Sequence, residues 1–438
     1  MTSRVPSRCS APLPILFFAA FLALAGCATQ APGPIGPIST GDPRVDPIPG
    51  GETDPADIGD GDTDITDPDG SDIQQAGPYT PPHMQGRDIV RAGVMLPFSH
   101  PRASVRQQAE GMLAGIELAL FDQGYEDFVL FPKDTGGSQS KAEAAATELR
   151  DQGVDLILGP LFGANVASVR DIMAPEGKPV VAFSNDSSVA SYGAWLASIA
   201  PEEEVAAIVE YASLRGYDQF AFFGPQSSLG MKVEKAMQEE VARNRGVMIT
   251  TTFYPSSTTS PSTEAEYFAK TVESAVKRGG KVAVLVPERG TRLRRIAPLL
   301  AYHGVDTRVV KMLGTSDWDD SAVWREPSLR GAWFPTSPSI EVADFETRYK
   351  RQYGTAPSSL AAVAYDAAAL TVALSADGEF AQEELINRDG FMGVNGLFRF
   401  RSDGTAERSL AIMEIDPNSE TGVMEILPVS PSFDPPIG

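Results

Sequence analysis

Cysteine is nearly absent: the 438 residues hold only Cys9 and Cys27. Everything after residue 27 therefore lacks a thiol for a disulfide, a metal site or a nucleophile. Histidine is almost as scarce, with only His83, His100 and His303. Three scattered imidazoles supply neither a Ser/His/Asp arrangement nor a histidine metal cluster, so no cofactor and no enzymatic activity are expected. A basic surplus is also missing. The net charge is -22, which speaks against nucleic acid or anionic lipid surfaces as partners. The apolar run at residues 11–25 is too short to span a bilayer, which takes about 20 apolar residues. Preceded by Arg4 and Arg8 and closed by the small Ala25 and Gly26, it has the layout of a secretory signal covering residues 1–26.

Residues 27–87 read as a linker. Between positions 28 and 87 there are eleven acidic residues, from Asp42 to Asp72, against two arginines, with many Pro, Gly and Thr. So few large apolar residues cannot offset the chain entropy of ordering, and disorder is expected. About 60 such residues have an end-to-end distance on the order of 45 Å and a limit near 200 Å. The aspartates between Asp60 and Asp72 do not make a calcium loop. An EF-hand needs Gly at the sixth position and Glu at the twelfth. Counted from Asp60 those are Ile65 and Ser71, and counted from Asp62 they are Asp67 and Ile73.

From residue 88 short apolar runs alternate with helical stretches. Strands are expected at 89–97, 127–131, 154–158, 179–183, 219–223, 282–286 and 308–313. Helices are expected at 103–124, with Ala109, Met112, Leu113, Ile116, Leu120 and Phe121 at helical spacing, and at 138–152. Strands separated by helices imply parallel sheets joined by right-handed crossovers. About 340 residues exceed one sheet domain, so an α/β protein of two lobes is expected. Ligands in such sheets sit at the carboxyl ends of strands, where the strand order reverses.

Several segments resemble known families. Leu24-Ala25-Gly26-Cys27 resembles the lipobox of bacterial lipoproteins, in which the cysteine is lipidated and becomes the N-terminus. This implies a lipid anchor at Cys27, and Ala28 after it implies the outer membrane, with the folded part facing the periplasm. Asp134-Thr135-Gly136-Gly137-Ser138, the Ala-rich helix after it and Gln152 through Pro160 resemble type 1 periplasmic binding proteins. So do the runs from Phe345 through Tyr349 and Tyr353 to Ala367, and Gly393 through Phe400 with Asp403-Gly404. The resemblance implies two α/β lobes joined by three crossing strands, with lobe 1 at about 88–200 and 336–395 and lobe 2 at about 201–335 and 396–430. Gly159-Pro160-Leu161-Phe162 together with the anchor resembles the penicillin-binding-protein activators of the LpoA type. The best-known of these carry an additional helical-repeat domain where this chain has its linker.

Few motifs ask for chemistry. Ser138-Gln139-Ser140-Lys141 fits S-x-x-K, but Ser184-Asn185-Asp186 has the wrong order for the second motif and Lys-Thr-Gly is absent. Ser138 is better read as the start of a helix. The binding-protein resemblance nominates a cleft set of Phe162, Gly163, Ser184, Asn185, Asp186, Leu229, Ser316 and Asp317. Leu229 stands where relatives have Tyr, and Ser316 stands near their acidic residue with Asp317 one place on, so the amino-group recognition set is incomplete. Ser184 to Asp186 suit a polar ligand; equally, they suit a turn into the next helix. Arg289-Gly290-Thr291-Arg292-Leu293-Arg294-Arg295 is either a contact for an acidic partner or a solvated helix start with Leu293, Ile296, Leu299 and Leu300 inward. Pro335-Thr336-Ser337-Pro338 marks an interlobe crossing. The reading favoured is a non-catalytic outer-membrane lipoprotein that binds and activates a peptidoglycan synthase, a bifunctional penicillin-binding protein. The alternative is a lipid-anchored solute-binding protein delivering an amino acid or similar small molecule to an ABC transporter or sensor.

Overall fold

The computed structural model of the chain describes residues 80–124, 126–375 and 380–433. Cys27, the signal at 1–26 and most of the linker lie outside the described residues. The last described linker residues include one helical turn, Pro82–Met84, with Met84 buried.

The first lobe is built on β1 (Val90–Leu96), α1 (Ala103–Gln123), β2 (Phe128–Asp134), α2 (Gln139–Asp151), β3 (Leu156–Leu158), α3 (Val166–Met173), β4 (Val180–Ala182) and β5 (Ala194–Leu196). These strands form a parallel sheet in the order β2-β1-β3-β4-β5. The order reverses at β1, as crossovers to both sides of a first strand require. β1, β3 and β4 are apolar nearly throughout because helices cover both faces of the sheet.

The second lobe follows as α4 (Pro201–Leu214), β6 (Gln219–Gln226), α5 (Ser228–Arg243), β7 (Val247–Pro255), α6 (Ser262–Lys277), β8 (Val282–Leu285), α7 (Gly290–Tyr302), β9 (Lys311–Leu313), the single turn α8 (Ser321–Trp324) and β10 (Trp333–Thr336). The chain then returns to the first lobe in α9 (Ser339–Tyr353) and α10 (Ser359–Leu374). A small antiparallel sheet, β11 (Phe391–Gly393), β12 (Gly396–Phe400) and β13 (Ala406–Arg408), precedes β14 (Ala411–Ile415) and β15 (Val423–Leu427). β14 and β15 add antiparallel to the second sheet, whose order is β15-β14-β10-β9-β8-β6-β7.

Each sheet is sandwiched. In the first lobe α1, α9 and α10 cover one face through Met112, Ile116, Phe345 and the alanines of α10, and α2 and α3 cover the other through Leu149, Val166 and Val169. α10 is apolar on all sides because it lies inside the lobe. It meets α1 so closely that a Cβ on Gly115 would lie 2.3 Å from the Ala361 carbonyl oxygen. In the second lobe α6 and α7 cover one face and α4 and α5 the other.

The two-lobed α/β architecture agrees with the expectation. The division at 395/396 does not: residues 391–408 form one small sheet, and Phe398, Phe400 and Ala406 join the first lobe's core. The second lobe regains the chain only at β14. The chain passes between the lobes near Ser198, Ser337 and Ser409.

Candidate functional site

The loops at the carboxyl ends of β3 and β4 come together. Gly163, just after β3, lies so near the loop after β4 that a Cβ there would be 2.9 Å from the Ser184 hydroxyl. Phe162 beside it packs its ring against His100, with centroids 5.6 Å apart. Ser184 is buried, and its Oγ accepts the Asp186 N–H at 3.1 Å; Asn185 is exposed. Asp186 caps a single turn, Ser187–Val189, by accepting the Ser188 N–H and hydroxyl at 3.2 and 2.8 Å.

Asp186 has a further partner from the opposite lobe. The Lys232 ammonium, on α5, donates to Asp186 Oδ1 at 2.8 Å. That contact and the Ser188 hydroxyl hold the Asp186 carboxyl below its usual range. Ser187 makes a parallel crossing, its hydroxyl donating to Glu202 Oε1 of α4 at 2.5 Å. Lys232 lies 3.7 Å from the same Glu202 oxygen. Four side chains thus join the lobes at one point.

On the second lobe, Ser227 caps α5 by accepting the Gly230 N–H at 3.0 Å. Leu229 and Met231 follow on the first turn, 46% and 52% exposed. After β9, Ser316 donates both its hydroxyl and its N–H to Glu204 of α4. Glu204 is buried, and that burial, opposed by the Ser316 hydrogen bonds, pushes its carboxyl up to about 7. Asp317 is exposed and faces Arg289 at 3.7 Å. Phe162, Gly163, Ser184, Asn185 and Asp186 therefore share one side of the site, and Leu229 stands on α5 with Lys232. Ser316 turns away toward α4.

Lys232 and Glu202 were not singled out from the sequence. The only local trace is the run Glu202-Glu203-Glu204 after Pro201, an acidic first turn that suits a helix N-terminus anyway. Behind the loop after β4, near the crossing from β5 to α4, is a cavity of about 100 Å³ lined by Ser184, Ser187, Ser198, Glu203 and Arg401 among others. Glu203 is pushed up to about 7 by burial, which the nearby Arg408 opposes.

The remaining sequence features have structural tasks. Ser138 caps α2 by accepting the Lys141 N–H, while the Lys141 ammonium turns to Ser99 and Asp134. Arg292 of the basic run pairs with Glu288 and donates to the Ser256 carbonyl; Leu293, Ile296 and Leu300 point inward as expected, and Leu299 is partly buried. Among the described residues no group of three or more His, Cys, Asp or Glu is placed to hold a metal. No described helix is long and apolar enough to cross a membrane.

Two lobes with facing loops at their strand ends define a bilobed binding protein. A family model for periplasmic binding proteins matches residues 89–421, and the chain belongs to that family. The family implies a periplasmic location and a non-catalytic binding role. No curated protein sequence matches.

Among solved structures, a putative branched-chain amino acid ABC transporter protein from Rhodospirillum rubrum is 17% identical. It covers 77% of this chain and 100% of its own, with a TM-score of 0.65. A leucine-binding protein from Thermotoga maritima is 18% identical, covering 78% and 99%, with a TM-score of 0.53. An ABC-transporter solute-binding protein from Rhodopseudomonas palustris in complex with 3,4-dihydroxybenzoic acid is 16% identical, covering 80% and 99%, with a TM-score of 0.55. These likenesses show the fold. The family match is to binding proteins, and the activator resemblance gains nothing from it.

Proposed function

We propose that this chain is a solute-binding protein that carries a small molecule in the cleft between its lobes to an ABC transporter or sensor. The observation that carries the reading is the facing pair of loops. Ser184, Asn185 and Asp186 at the end of β4 oppose the first turn of α5, in the frame of a family that binds solutes. The solutes named for its structural neighbours, leucine and hydroxybenzoates, share a carboxylate on an apolar body. Phe162 on the first lobe and the exposed Leu229 on the second supply apolar surface for such a body. Calorimetric titration of the protein with a panel of amino acids and aromatic acids tests this. Saturable micromolar binding is expected, and a panel that returns no heat at millimolar solute counts against it.

A second reading, activation of a penicillin-binding protein, is favoured by one observation. Asp186 and Ser316, both nominated as ligand groups, are engaged by Lys232 and Glu204 within the chain. Adding the protein to a bifunctional synthase assay decides that reading, since an activator raises the rate and a solute carrier leaves it unchanged. Under either reading Cys27 is the lipid anchor, holding the chain to the outer membrane with the folded part in the periplasm.

A further inference from the structure

The bridge between the lobes contains one ammonium and two carboxylates. Asp186 belongs to the first lobe and Glu202 to the second. Lys232 Nζ stands 2.8 Å from Asp186 Oδ1 and 3.7 Å from Glu202 Oε1. Without a cation between them, two carboxylates brought together as the lobes approach repel each other. In a solute-binding cleft such a position suits the ammonium of a bound amino acid. Here the chain fills it with its own side chain.

We propose that Lys232 is a built-in counter-ion that occupies the cleft's ammonium position, so that the cleft takes uncharged solutes or carboxylates on an apolar body and turns away α-amino acids. An intramolecular ammonium has an effective concentration in the millimolar range or above. A solute ammonium must outcompete it, whereas a solute without one leaves the bridge in place. Of the other nearby carboxylates, Asp317 faces Arg289, Glu204 holds Ser316 and Glu203 lies in the cavity behind the loop, so none offers a better landing place. Leu229, three residues before Lys232 on the same side of α5 and 46% exposed, offers apolar surface to the body of such an acid. The choice of solute rests on the solute-carrier reading; the bridge itself does not.

Hydrogen-exchange mass spectrometry on the full chain tests the bridge without a known solute. In Lys232→Ala the loop after β4 and the first turns of α4 and α5 are expected to exchange roughly five- to tenfold faster. Millimolar propylammonium, a free stand-in for the missing side chain, restores protection in the variant and leaves the wild type unchanged. Unchanged exchange in Lys232→Ala, no restoration by the amine, or an equal response of the wild type overturns the proposal. Lys232→Met, which keeps the aliphatic stem, guards against a packing effect and is expected to behave like Lys232→Ala.

The solute arm compares leucine with 4-methylpentanoate, which differ only in the ammonium. The wild type is expected to favour 4-methylpentanoate at least about tenfold, and Lys232→Met to lose that preference. Leucine bound as tightly as 4-methylpentanoate by the wild type overturns the selectivity. If no solute in the wider panel binds either protein, the carrier reading fails, and the exchange arm still decides the role of Lys232.

Discussion

Glu203 and Glu204 are adjacent in sequence and differently placed, yet both carboxyls are pushed up to about 7 from an ordinary value of 4.5, chiefly by burial. The folded chain therefore keeps two protons that the unfolded chain releases between about pH 4.5 and 7. Stability falls as pH rises through that window and levels off above it, by roughly 3 kcal/mol at most per group. Thermal melting from pH 5 to 7.5 is expected to show the decline, and Glu204→Gln, which mimics the protonated acid toward Ser316, to reduce it. A flat profile in the wild type would sink this account. Gly230 makes a different demand at the same scale. A Cβ there would lie 2.0 Å from the Pro225 carbonyl oxygen, so Gly230→Ala is expected to lose about 2–3 kcal/mol in urea unfolding. Neither carboxyl shift was legible in the sequence, where the three glutamates look like any acidic helix start.

At the scale of elements, Asp366 of α10 holds the small sheet of β11 to β13 by hydrogen bonds, beside the apolar packing of Phe398 and Phe400. Asp366 is fully enclosed and accepts the Val394 N–H at 2.6 Å, the Asn395 N–H at 3.0 Å and the Asn395 amide at 2.8 Å. Asp366→Ala leaves those donors buried without an acceptor and is expected to destabilise the fold by about 2–4 kcal/mol, read from the urea midpoint. Seven of the parallel strands, β1 to β4, β6, β8 and β9, were legible because burial forces apolar runs such as Val282–Leu285, whereas the very short β5 and the half-exposed β7 were not. The lobe to which residues 391–408 belong was not. That depends on Phe398, Phe400 and Ala406 packing into the first core and on Asp366, which is almost 30 positions away from its partners.

At the scale of the whole molecule, the anchor proposed at Cys27 has its own test. Cys27→Ser is expected to move the protein from the membrane fraction to the soluble periplasmic fraction and to abolish incorporation of labelled palmitate. Unchanged fractionation would remove the anchor from the account. Lobe contact depends on charged groups that the linear order keeps apart: Lys232 reaches Asp186 across 46 positions. Because the bridge is partly exposed, salt is expected to weaken it, which gives the exchange experiment on Lys232 an ionic-strength control.

The sequence by itself determined the layered α/β class, seven of the parallel strands and the scarcity of catalytic side chains. Each of these follows from local periodicity or from composition, which short stretches of chain carry alone. Only the tertiary structure decided that Ser316 turns to Glu204, that Phe398 and Phe400 pack in the first lobe, and that Lys232 lies between Asp186 and Glu202. Hydrogen bonds and ion pairs act over a few ångströms of space and not along the chain. Which groups they join is therefore settled only once both lobes are folded and face each other.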